Sequence, residues 1–140
     1  MNFLRNNKIT GVQAPLASGG TDLASTYVDM DGFDDVTFLG HLGTAGSTDV
    51  CTLTIWESSS TSSTGSVTAN TISSSAGESD KVICLEQYRP NARYVKTHVT
   101  RSAAVEYGGT IAIQSEARTV PVSTTGATLA ATPVIGISST

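Results

Sequence analysis

Asp29, Asp31, Asp34 and Asp35 form the one carboxylate cluster of the chain. Hard cations such as Ca²⁺ take several such oxygens, but no Glu stands at the twelfth position that a full EF-hand loop requires. We therefore read the cluster as a solvated acidic hairpin turn. His41 and His98 fall on different strands with no third ligand nearby in sequence, so zinc is not expected and both are read as outward-facing strand residues. Serines are so abundant that the mere availability of a Ser, His and Asp triad carries no information. No Gly-x-Ser-x-Gly elbow, phosphate loop or dinucleotide glycine pattern is present. Trp56 and the tyrosines Tyr27, Tyr88, Tyr94 and Tyr107 could stack a sugar on a sandwich face, although packing in core and edges is the commoner fate of such residues. We expect no catalytic residue, no metal and no cofactor.

Short strands must carry these side chains. Arg89-Pro90-Asn91-Ala92 reads as a turn, because Pro fixes its own φ and Asn tolerates left-handed geometry. Residues 94–100 then alternate, with Val95, Thr97 and Val99 on one face and Tyr94, Lys96, His98 and Thr100 on the other. Along 107–116, Tyr107, Gly109, Ile111 and Ile113 share one side and Thr110, Ala112, Gln114 and Glu116 the other. The simplest expectation pairs these two strands antiparallel. Residues 22–30 read as an alternating strand that the Asp31-Gly32 turn breaks, and residues 36–41 resume it. Residues 51–57 alternate most cleanly, with Cys51, Leu53 and Ile55 inward. Residues 58–65 are nearly all Ser and Thr, too polar to offset an ordering cost of about 1 to 2 kcal/mol per residue, and are expected as a surface loop. Residues 67–72 suggest a short edge strand and 81–86 a buried one. No segment carries a sustained 3.6-residue apolar stripe. Seven or eight short strands fit an all-β, antiparallel β-sandwich, jelly-roll-like, with extended N- and C-terminal arms.

The expected layout is an arm over residues 1–21, a sandwich domain over 22–122 and a tail over 123–140 docked on a neighbour. A length of 140 residues suits one domain, and a chain of that size buries on the order of 68% of its unfolded surface without needing a staple. A net charge of −4 with few Lys and Arg argues against nucleic-acid binding, which needs clustered cations. Met1 to Lys8 has basic residues but no apolar run behind them, so no secretory signal is expected; no segment is long enough to span a bilayer, and synthesis in a cytoplasm follows. Cys51 and Cys84 are expected as two buried free thiols, with a disulfide the less favoured alternative.

The order of these segments resembles a family. It comprises a polar arm, Tyr27-Val28-Asp29-Met30-Asp31-Gly32-Phe33-Asp34-Asp35-Val36-Thr37-Phe38, then Leu53-Thr54-Ile55-Trp56-Glu57-Ser58. There follow Tyr88-Arg89-Pro90-Asn91-Ala92-Arg93-Tyr94-Val95-Lys96 and a strand ending Gln114-Ser115-Glu116-Ala117-Arg118, with Pro121 beyond. Over residues 22–121 this resembles the small β-sandwich capsid decoration, or cement, proteins of tailed bacteriophages. The resemblance implies a non-enzymatic virion protein on the outer capsid surface, bound to the major capsid protein and commonly a homotrimer, with neither nucleic acid nor membrane as partner. The apolar residues of the two ends, Phe3, Leu4, Ile9, Val12, Pro15, Leu16, Leu129, Val134, Ile135 and Ile137, are then the expected partner-binding positions. A glycan-binding fibre or spike module built on Trp56, and a tail or head-completion component, are the alternative expectations.

Overall fold

The computed structural model describes residues 3–62 and 67–119, and for Leu4 the backbone alone. Among the described residues one helical turn, α1 (Phe3–Asn6), is followed by nine strands: β1 (Lys8–Gln13), β2 (Leu23–Ala24), β3 (Val28–Asp29), β4 (Phe33–Ala45), β5 (Cys51–Ser58), β6 (Val67–Ser73), β7 (Lys81–Tyr88), β8 (Tyr94–Arg101) and β9 (Val105–Ala117). One sheet has the order β1-β9-β4-β7, the other β2-β8-β5-β6 with β3 also on β8, and every pairing is antiparallel. Because β2 and β3 lie end to end along β8, they act as one interrupted strand. The chain is then a long hairpin with β5 and β6 at its tip and its first strand on its last. Rolled up, it drops alternate strand pairs into opposite sheets, which is the jelly roll.

The core lies between the sheets. On β5 the alternation works as the sequence implies, with Cys51, Leu53 and Ile55 buried, and Val95, Thr97 and Val99 of the neighbouring β8 lie beside them on the same inner face. From the other sheet come Val36, Phe38 and Leu42 of β4. The Asp31-Gly32 turn forms as expected, with Gly32 at φ 87 and the Phe33 amide donating to the Met30 carbonyl at 3.0 Å.

Four expectations need correcting. β8 and β9 do not pair; they lie in opposite sheets, because the rolled hairpin sets β8 against β5 and β9 against β4 and β1. The N-terminal arm does not run to residue 21: β1 pairs with β9 over 8–13 and Val12 is 5% exposed, so the sandwich begins at Lys8. The first strand is broken at 25–27, where Ser25 stays on β8 through Thr97 while the Thr26 amide crosses to the Val12 carbonyl of the other sheet at 3.0 Å. Finally, β7 is an edge strand with only Ile83 and Leu85 inward, so Cys84 is exposed rather than buried; both thiols are free. The expected edge strand over 67–72 is present as β6, whose every residue is exposed.

Candidate functional site

The acidic turn is laced to arginines. Arg93, just before β8, donates from Nε and Nη2 to the two carboxylate oxygens of Asp29 on β3, both at 2.8 Å. Arg118, just after β9, reaches Asp34 Oδ1 at 2.7 Å from Nη2, and its amide donates to the Gly32 carbonyl at 2.9 Å. Asp35 accepts from Ser115 Oγ at 2.7 Å. Arg93 thus ties the ends of β3 and β8 in one sheet and Arg118 those of β4 and β9 in the other, beside an open groove of about 560 Å³ that Met30, Phe33, Arg89 and Asn91 also line. The third arginine, Arg89, has φ 48 and lies over the Tyr88 ring at 5.2 Å.

The electrostatics of the groove follow from these pairs. Hydrogen bonds from Arg93 hold the Asp29 carboxyl below its ordinary range, and those from Arg118 do the same for Asp34. Carboxylates kept ionised are poor proton donors at neutral pH, so Asp29 and Asp34 act here as fasteners of strand ends. Among the described residues no three His, Cys, Asp or Glu converge to hold a metal ion. The pairing arginines were legible as residue types but not as partners, since Asp29 and Arg93 are far apart in the chain.

The outer face of the β2-β8-β5-β6 sheet collects the aromatic residues differently from the expected platform. Trp56 stacks on His98 with ring centroids 4.4 Å apart and planes 8° from parallel. The Lys96 ammonium lies 5.3 Å from the Trp56 ring and 4.5 Å from that of Tyr27, and Tyr27 meets Tyr94 edge to face. Tyr107 is buried in the core and Tyr88 stands at the end of β7, so the five rings do not share one surface. Beside the cluster runs a hydroxyl ladder, Thr54 with Thr71 at 2.9 Å and Thr52 with Ser73 at 2.7 Å. These rings and hydroxyls are partnered with one another.

The expected partner-binding residues separate. Phe3 is 49% exposed and Pro15 is exposed. Ile9 is half-buried on β1, on the side of the sheet away from the core, beside Ile113. Val12 is core and not open to a partner, because the alternation of β1 turns it inward, while Leu16 packs partly buried against the core and bridges to Tyr107. The Leu4 side chain, Leu129, Val134, Ile135 and Ile137 lie outside the described residues. What sequence reasoning missed is a set of exposed apolar side chains on strands, chiefly Val67 at 68%, Val82 at 61% and Ile111 at 46%. The alternation of β7 held the signal for Val82.

No protein-family model matches the chain, and no curated protein matches it. Among solved structures it is similar to the PBSX exported protein XepA, at 15% identity and a TM-score of 0.53, covering 100% of this chain and 45% of XepA. The chain therefore spans less than half of XepA's length. It is also similar to a protein of the Bacillus endospore appendages, described as disulfide-linked pili, at 16% identity and a TM-score of 0.46, over 82% of this chain and 92% of the other. A protein of the infectious bursal disease virus Gt strain gives 13% identity and a TM-score of 0.44, over 77% of this chain and 32% of the other. At these identities the likeness to XepA supports the fold alone.

Proposed function

We propose that this chain is a non-enzymatic virion structural protein, a decoration protein that binds the outer surface of an assembled phage head and strengthens contacts between major capsid protein subunits. The observation that carries the reading is a jelly roll that exposes large apolar side chains, Phe3, Val67, Val82 and Ile111 among them, while its charged cluster is spent on lacing strand ends. Val82 and Ile111 lie on one sheet face, and contiguous exposed apolar patches mark contact with other proteins. The resemblance of residues 22–121 to phage decoration proteins and the whole-chain fold likeness to XepA support it. A ligand that binds only the assembled shell stabilises that shell by mass action, and many weak contacts repeated over a particle add avidity.

Phe3 and Leu4, ahead of the first sheet strand, and the uncharged segment carrying Leu129, Val134, Ile135 and Ile137 are the contacts assigned to the capsid. Purified protein mixed with undecorated heads is expected to sediment with them at hundreds of copies per particle. Protein that stays in the supernatant overturns the reading.

A further inference from the structure

The two outer faces of the sandwich differ. That of the β2-β8-β5-β6 sheet carries hydroxyls, His98 and Lys96, as an outer face should. That of the β1-β9-β4-β7 sheet carries a band of hydrocarbon. Cross-strand register sets Ile9, Ile113 and Thr37 in one row, Gly11, Ile111, Leu39 and Cys84 in the next, and His41 with Val82 in a third. Residues directly opposite one another share a face, so these side chains form one contiguous patch across all four strands. The bulge at Gly108 and Gly109 is what turns Ile111 and Ile113 outward; without it they would face the core.

We propose that this face is where a second copy of the chain packs, sheet against sheet. Two observations choose that occupant. Ile111 stands 46% exposed directly beside Gly11, which has no side chain, so knob and hollow lie one strand spacing apart on a single surface. Two identical faces related by a two-fold axis can seat each Ile111 over the other's Gly11. Charge agrees: the chain carries a net −4, which opposes close approach of copies, yet the rows hold Glu86 as their one carboxylate, at the end of the Ile113 row. The arrangement is a pair, where the family resemblance implies a trimer. It names a self-contact of the proposed virion protein, and its test needs no capsid.

Cys84 supplies the probe, because it sits in the Ile111 row and is exposed in the single chain while Cys51 is buried. Full-length protein is weighed by light scattering over a concentration series, and the labelling of Cys84 by a maleimide is timed at each concentration. Association is expected, with labelling slowed about 10-fold or more where the pair forms. Ile111→Glu, on a side chain that the fold leaves outside, is expected to keep the urea midpoint and weaken association at least about 30-fold, restoring fast labelling. Val82→Glu is expected to do the same, and Val67→Glu on β6 to leave association unchanged. A monomer with Cys84 open at every concentration overturns the proposal. So does a monomer whose Cys84 becomes reactive only on truncation after Thr119, which would make residues 120–140 the occupant, or a Cys84 shielded only on phage heads, which would give the face to the capsid. Head binding by a protein that never self-associates would leave the proposed function standing without this inference.

Discussion

The hydroxyls of Tyr107 and Thr110 lie 2.6 Å apart inside the core although the two residues are three apart on one strand. Regular alternation would put them on opposite faces. The extra residue that brings them together falls at Gly108 and Gly109, where Gly109 has φ 95 and a Cβ would come within 2.5 Å of the Gln13 carbonyl oxygen. Gly109→Ala is therefore expected to cost about 3 kcal/mol, combining left-handed strain with a clash against backbone. Gly32→Ala, at φ 87 with open space around its would-be Cβ, isolates the conformational part and is expected to cost about 1 kcal/mol. Urea midpoints of the two variants decide it; equal losses would remove the close approach to β1 as a cause.

The same buried corner sets an alkaline limit. Burial pushes the Tyr107 phenol up to about 12 and the Cys51 thiol up to about 11. Both groups are kept neutral by the fold at a pH where the unfolded chain has already ionised them. Their contribution is fully present below the unfolded values, near 10 for Tyr and 9 for Cys, and is lost as pH rises through the folded values. Denaturation midpoints should fall between pH 9 and 12, with Cys51→Ala flattening the earlier part of the decline and Tyr107→Phe the later part. A decline unchanged in both variants would assign the limit to other groups.

Alternation on β5 and β8 was readable in the sequence because both strands are regular and pack one face on the core. β9 was readable only to Tyr107, since one added residue reverses every side chain after it and two adjacent glycines do not announce which way. The β8 and β9 pairing failed for a different reason: neighbours in sequence are the simplest partners, whereas a rolled hairpin places them in opposite sheets. β1 escaped notice because Lys8–Gln13 is short and its inward face has one strong apolar residue, Val12. Of the acidic cluster, the carboxylates were visible and their arginines were not, because those pairs form only once the strands are in place.

An acid limit should appear at the other end of the sandwich. Arg93 and Arg118 hold Asp29 and Asp34 below the ordinary carboxylate value of 3.8, so the stability they contribute is present above that value and lost as pH falls through the lowered folded values. Exposure and salt screening make each contribution small. Arg93→Gln and Arg118→Gln are expected to lower stability by a constant amount above about pH 5, with the difference from the parent closing below pH 3.8 and shrinking in high salt. Chemical denaturation at pH 7 and pH 3 reads it. A difference that persists undiminished at pH 3 would show that the arginines act through packing.

Arg101 differs from these exposed pairs. Its side chain is buried at the end of β8 and donates to three backbone carbonyls: Ala17 at 2.8 Å and Val105 at 2.6 Å from Nη1, and Thr21 at 3.3 Å from Nε. It thereby ties the stretch between β1 and β2 to the connection between β8 and β9, which is where the chain passes from one sheet to the other. A guanidinium can serve all three because its donors are fixed in a fork, whereas a Lys ammonium reaching the same place cannot match that spread. Of the three carbonyls that of Val105 is buried, and a buried carbonyl left without its donor costs about 1 to 3 kcal/mol, so Arg101→Lys is expected to lose about that much, more than either exposed arginine variant. The loss should be local before it is global. Amide exchange at 17–21 and 102–105 is expected to speed up at urea concentrations where β5 remains protected. Exchange that quickens uniformly across both sheets would mean that Arg101 supports the whole core rather than this crossing.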